Sequence, residues 1–171
     1  MSDDARVTKA DVQLEAIARL NTALDTSDID YWLFGGWAVD FWVGSITREH
    51  DDIDVVAFRV DYDAIRAELL EAGWEHTPTP NDVVGTRYAW RGVEVEFTFV
   101  IDKDGSVVIP LPDGPIVWSD RPLGNGRREL RGVASRVIPL ELLVAGKQAP
   151  RPGAAESAKD RSDLEALLQL K

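Results

Sequence analysis

Residues 31–58 restrict the fold more than any other stretch of the chain. A short apolar run, YWLF at 31–34, is halted by Gly35 and Gly36, and the residues that follow, 37–43, are too apolar and too few for a surface helix. Gly44 stops them. The segment 52–58 (DIDVVAF) then alternates before turning wholly apolar. In order, this reads as a buried strand, a glycine turn, a buried helix and a central strand. Elements this apolar cannot each stand in water, so they demand a wider sheet with helices laid over it.

The remaining sequence supplies both. Residues 8–24 read as an amphipathic helix with Leu14, Ile17 and Leu24 on its apolar side. Asp61 suits the N-cap of a helix over 62–72, which Gly73 ends. Residues 74–76 read as a brief strand and 77–82 (TPTPND) as a turn-rich loop. Residues 86–90 and 93–100 pair as strands around Arg91-Gly92. In the second of these, Val93, Val95, Phe97 and Phe99 share one face and Glu94, Glu96 and Thr98 the other. A hairpin or irregular excursion is expected over 102–115, and 127–136 is basic and partly alternating. Pro139 fits the first turn of a helix over 140–146. After a break at 148–153 (QAPRPG), a last helix over 155–170 presents Leu164, Leu167 and Leu168 as its apolar side. The expected class is α+β of α/β-like character, a mixed β-sheet flanked by helices with further helices towards the C-terminus. One domain over 1–171 is expected, with a core of about 27–104 and a strand and helix extension of about 105–171.

Composition closes off several chemistries. There is no cysteine, so disulfides, thiolate-bound zinc and thiol nucleophiles are excluded. With only His50 and His76, one chain cannot build a three-histidine metal site. No apolar run approaches a membrane span, and the first residues, with Asp3, Asp4, Arg6 and Lys9, do not resemble a signal peptide. A cytoplasmic location and no membrane partner are therefore expected. Nineteen Lys and Arg against thirty Asp and Glu give a net charge of −11. The acids dominate residues 1–120, whereas 121–171 hold 10 basic and 6 acidic residues. So acidic a chain is a poor general nucleic-acid binder, because non-specific affinity comes from neutralising phosphates. It suits small-molecule or cationic partners, and its basic last third can still face a polyanion. Nothing in the sequence sets an oligomeric state.

Asp52 and Asp54 stand two apart at the head of an apolar strand, so both carboxylates share a face and can hold one hard cation. Such pairs are common by chance: thirty acids in 171 residues give about five, and Glu94 with Glu96 is another. The joint arrangement carries more weight. Gly35-Gly36 at a helix N-terminus lets backbone N–H groups approach an anion closely, and the helix dipole adds attraction. A phosphate held there beside carboxylate-bound Mg²⁺ makes a coherent phosphoryl- or nucleotidyl-transfer site. Neither the G-x-G-x-x-G pattern of dinucleotide folds nor the lysine-hydroxyl ending of a P-loop is present.

The run Gly35-Gly36-Trp37-Ala38-Val39-Asp40, then Gly44, then Thr47-Arg48-Glu49-His50-Asp51-Asp52-Ile53-Asp54, resembles the signature of the nucleotidyltransferase superfamily. In particular it is similar to the antibiotic-modifying branch, the aminoglycoside 2''-adenylyltransferases and lincosamide nucleotidyltransferases. Residues 35–54 carry the resemblance most strongly, and a late Lys147 and the run Lys159-Asp160-Arg161-Ser162-Asp163-Leu164 also fit. The resemblance implies transfer of a nucleoside monophosphate, AMP from ATP or the equivalent from another NTP, onto an acceptor hydroxyl, with release of pyrophosphate. It implies Mg²⁺ on Asp52 and Asp54, the triphosphate on Gly35 and Gly36, and a third carboxylate that joins the metal site and acts as acceptor base. Glu96 fits that third place. Close relatives commonly have aspartate there, and Glu94 on the same strand face is a rival. The implied acceptor is a hydroxyl-bearing small molecule, for which a cationic aminoglycoside or a lincosamide would serve.

Supporting roles are weighed separately. Arg48 and His50 precede the aspartates and suit phosphate or carboxylate contacts, although Arg48 also simply offsets neighbouring acids. Lys147 can reach a triphosphate, yet a lysine ending a helix is favourable with no ligand. Asp40, in a greasy helix, calls for a structural partner if buried. His76, beside the proline-rich loop, is expected to be an exposed bystander. Trp37, Trp42, Trp90 and Trp118 are mostly expected in the core, with an acceptor wall as the other use. The alternative classes are a catalytically silent nucleotide- or partner-binding module and a toxin–antitoxin nucleotidyltransferase acting on RNA or protein.

Overall fold

The computed structural model describes residues 6–149 and 152–170. Asp3 and Asp4 of the N-terminal reading, and Pro150 and Arg151 of the expected break, lie outside the described residues.

The chain begins with α1 (Lys9–Asp25), closed at its start by a reciprocal cap. The Asp11 N–H donates to Thr8 Oγ1 at 3.2 Å and the Thr8 N–H to the Asp11 carboxylate at 2.8 Å, satisfying donors that the first helical turn leaves over. There follow β1 (Tyr31–Phe34), α2 (Gly35–Val43), β2 (Ile53–Phe58), a turn of 3-10 helix (Arg59–Asp61) and α3 (Tyr62–Glu71). Asp61 does occupy the N-cap of α3, but its side chain makes no capping hydrogen bond. The strands β3 (Glu75–Thr77), β4 (Gly85–Trp90), β5 (Val93–Lys103), β6 (Ser106–Ile109) and β7 (Ile116–Ser119) come next. A hairpin of β8 (Arg127–Leu130) and β9 (Val133–Arg136) precedes α4 (Leu140–Gln148) and α5 (Ala154–Leu168).

The main sheet runs β1-β2-β5-β4-β3, and β6 and β7 extend it from the far end of β5. Of the paired strands among the described residues, only β2 and β5 run parallel; an isolated parallel bridge also joins Leu33 to Val137. A parallel neighbour needs a long crossover, and α3, β3 and β4 provide it. On β5 the expected alternation holds: Val93, Val95, Phe97 and Phe99 are buried, while Glu94, Glu96 and Thr98 on the opposite face are half-buried. α1 packs on α3 and reaches β5; α2 lies on β1 and β2 and meets both α4 and α5. One continuous core joins Ile17 and Leu20 of α1, Leu33 of β1, Val55 of β2 and Phe97 of β5 to Leu143 of α4 and Leu167 of α5.

Two expectations change. On α5, Leu167 is buried but Leu168 is 56% exposed, and the inward positions belong to Asp160 and Asp163. Those carboxylates face Arg48 and Lys147 rather than lipid-like core, so the helix turns a charged side inward. His76 is not exposed. Its side chain is 9% exposed, its Nε2 lies 2.7 Å from Thr86 Oγ1, and its ring stacks on Tyr88 at 4.7 Å.

Candidate active site

The register between β2 and β5 sets the geometry. Asp54 stands opposite Glu96 across the parallel pair, and Phe34 of β1 stands opposite Asp54 on its other side. Period two brings Asp52 to the same face as Asp54. Oxygens of the Asp52, Asp54 and Glu96 carboxylates lie within 4.8 Å of one another, all three side chains being half-buried. Three hard oxygen donors at this spacing suit a divalent cation such as Mg²⁺. Among the described residues they form the one such acidic or histidine cluster. Glu94 shares the strand face without joining that trio; the Arg87 Nε lies 3.6 Å from its Oε1 and 3.4 Å from the Glu96 Oε1.

The crowding shows in the acidities. Burial, and then the negative charges of Glu94 and Asp51, push the Asp52 carboxyl above the ordinary carboxylate range. Burial also raises Glu96, with the charge of Asp52 and a hydrogen bond that the protonated Glu96 donates to Glu94 adding to it and Arg87 opposing. Both groups resist ionisation where they stand, which is the condition a bound cation relieves.

Against this cluster lies the start of α2. Gly35 takes φ +67°, and a Cβ there would collide with the Asp54 carboxylate. A Cβ on Gly36 would come within 2.5 Å of His50 Nδ1 and 2.6 Å of Arg48 Nη2. The residue before α2, Phe34, makes no side-chain capping bond, and Gly35 and Gly36 at the start of that helix border the cleft. Only hydrogen atoms at 35 and 36 leave room for carboxylate, imidazole and guanidinium around one helix start.

His50 and Arg48 are both held from behind. His50 Nε2 lies 2.6 Å from Asp40 Oδ2, and the other Asp40 oxygen accepts from the Thr47 N–H at 3.1 Å and the Thr47 hydroxyl at 2.6 Å. Asp40 therefore has the structural partners expected for a buried carboxylate. Its contact leaves His50 Nδ1 on the side of Gly36. Arg48 is gripped in two places by Asp163, at 2.9 and 3.0 Å, and Lys147 reaches the same carboxylate at 2.9 Å and Asp160 at 3.5 Å. Lys159 pairs with Asp51 at 3.0 Å.

Arg48, His50, Lys147, Lys159 and the three clustered carboxylates line one cleft of about 580 Å³. Asp52, Asp54 and Glu96 form its acidic part; Arg48, Lys147 and Lys159 its cationic part; Phe34, Ile109, Trp118, Ile138 and Leu142 its apolar part. Of the four tryptophans considered from sequence, Trp118 lies here, edge-on to Phe34 at 5.9 Å. Trp37 and Trp90 are core, and Trp42 is covered by the Arg128 guanidinium at 4.2 Å. All eight site residues named from sequence, Gly35, Gly36, Arg48, His50, Asp52, Asp54, Glu96 and Lys147, border this one cleft.

The family model for aminoglycoside-2''-adenylyltransferase matches residues 16–167. The chain belongs to this family. Curated relatives described as 2''-aminoglycoside nucleotidyltransferases, from Escherichia coli and Klebsiella pneumoniae, are 42% identical over 43 residues. That match spans 25% of this chain and 24% of each relative's length. Among solved structures, the lincosamide antibiotic adenylyltransferase LnuA with lincomycin bound aligns with a TM-score of 0.72 at 20% identity, over 96% of this chain and 99% of that one. ANT(2'')-Ia in complex with adenylyl-2''-tobramycin aligns at 0.66 and 18%, over 91% and 90%. At these identities the structures establish a shared fold.

Within this family member, sequence reading carried Asp160 and Asp163 only as part of the run that fits the resemblance and gave neither its partners, Arg48 and Lys147. The available signal was their i, i+3 spacing on α5, which puts both on one side of the helix. It went unread because leucines at 164, 167 and 168 suggested an apolar side instead.

Proposed function

We propose that the protein is a Mg²⁺-dependent nucleotidyltransferase that moves AMP from ATP onto a hydroxyl of a small molecule and releases pyrophosphate. The convergence of Asp52, Asp54 and Glu96 beside the Gly35-Gly36 turn carries this reading. Asp52, Asp54 and Glu96 fit Mg²⁺ by donor chemistry, and that ion supplies charge neutralisation on the phosphates when bound. The N–H groups at the start of α2 receive the triphosphate, with the helix dipole favouring its charge. Arg48 and Lys147 flank that position as cations. The acceptor oxygen attacks the α-phosphorus, the bond from that phosphorus to the bridging oxygen breaks, and pyrophosphate leaves with the bond electrons. The hydroxyl proton passes to the Glu96 carboxylate, whose raised acidity constant brings it nearer to neutrality as a base.

For the acceptor, an aminoglycoside or a lincosamide suits the cleft. Its acidic part attracts amino groups, and the Phe34 and Trp118 rings offer a face for a sugar or alkyl surface. The test is pyrophosphate release from MgATP with a panel of aminoglycosides and lincosamides. Release that needs both Mg²⁺ and an acceptor, and that is lost in Asp54→Asn, is expected. Asp54→Asn turning over like the parent protein would remove the aspartate pair from the chemistry.

A further inference from the structure

Asp163 does more than close a salt bridge. Its carboxylate has no solvent exposure, and it serves two cations from different elements. One oxygen accepts from Arg48 Nε at 2.9 Å; the other accepts from Arg48 Nη2 at 3.0 Å and lies 2.9 Å from Lys147 Nζ. Arg48 Nη1 donates to the Glu49 carbonyl at 3.0 Å. Of the five guanidinium hydrogens, three are thereby used. Nη2 itself sits against Gly36, at the start of α2. Lys147, only 10% exposed, lines the same cleft. Burial would raise the Asp163 carboxyl, yet its hydrogen bonds from Arg48 and Lys147 outweigh that and hold it below the ordinary range.

A buried ion pair is weak evidence for stability, since apolar residues in its place often serve the fold as well or better. What it does provide is position. Arginine and lysine are long and lose much freedom when a ligand orders them. A carboxylate that orders both beforehand shifts that loss from binding to folding.

We propose that Asp163 is a positioning residue that fixes the Arg48 guanidinium and the Lys147 ammonium as a pair at the glycine turn, so that they meet the phosphate chain of the nucleotide. This rests on the nucleotide reading above. The ordering of two long side chains corresponds to about a tenfold difference in affinity. Because the pair serves the phosphate chain, the difference falls on MgATP and spares AMP.

Calorimetric titration of the full chain with MgATP and with AMP tests this. Asp163→Asn is expected to bind MgATP about tenfold more weakly while AMP affinity stays within about twofold. Equal weakening of both ligands would overturn the proposal, because a merely structural defect does not distinguish phosphate-chain length. MgATP affinity within twofold of the parent would also overturn it. Should Asp163→Asn not fold, Asp163→Glu keeps the charge but displaces the carboxylate; a selective loss of at least about threefold for MgATP is expected, and parental affinity would sink the idea. If the parent protein itself binds neither ligand, the nucleotide reading fails first and this inference with it.

Discussion

Glu94 and Glu96 stand on the same face of β5, yet they are not equivalent. Only Glu96 is the register partner of Asp54, and only its oxygens come within reach of both aspartates. Glu96→Gln is expected to lower kcat by about 10²–10⁴, the usual range for a lost general base, with MgATP affinity changed far less. Glu94→Gln should cost less than about tenfold in the same assay, since it removes a neighbour and not the proposed base. Steady-state kinetics of the two variants decide between them, and a larger defect in Glu94→Gln would reverse the assignment. Both glutamates were visible from the alternation of β5. Which of the two meets the aspartates depends on strand register, and register is set by packing across the sheet rather than by β5 alone.

Among the elements, α5 is attached unusually. Leu167 is its one fully buried apolar side chain; Asp160 and Asp163 are its other buried residues. Burying a leucine contributes about 1.5–3 kcal/mol, so the orientation of α5 depends on the Arg48–Asp163–Lys147 group. The sign of its pH response follows from Asp163. Its acidity constant is depressed in the folded protein, so its contribution is complete above the ordinary aspartate range and lost as pH falls through the depressed value. Amide hydrogen exchange followed from pH 7 downward should therefore show α5 losing protection before β2 and β5. Simultaneous loss in all three elements would count against this attachment. The elements preceding α5 were easier to read. β1, α2 and β2 declared themselves through glycines that break apolar runs, and β5 through strict alternation. α5 was misread in facing because its inward charges are stabilised by Arg48, 115 residues away in sequence, which no local pattern reveals. His76 was misread for the same reason: Thr86 and Tyr88, which hold it, belong to the neighbouring strand.

For the molecule as a whole, net charge of −11 says less than its distribution. The cleft brings an acidic cluster and three cations together, which suits a ligand that presents both signs or a metal between them. Asp52 and Glu96 have raised acidity constants, so the stability linked to them is complete at pH below the ordinary carboxylate range and lost as pH rises through the raised values. At neutral pH the ionised cluster works against folding, and a divalent cation should return what was lost. At a Mg²⁺ concentration ten times its dissociation constant the gain is about 1.4 kcal/mol, or about 3–5 °C in Tm for a domain of this size. Thermal melts at pH 7.5 with and without Mg²⁺ measure it. Asp54→Asn should flatten the response, and an undiminished response in that variant would place the cation elsewhere.

The anchoring of Arg48 by Asp163 also has a consequence in time. The glycine turn and all three carboxylates are encoded before residue 97 and the main sheet ends with β7 at Ser119, whereas the residue that orders the arginine comes at 163. On the ribosome, a nascent chain can assemble the acidic pocket while Arg48 is still unordered. Competence to capture nucleotide would then arrive only once α5 has emerged and docked.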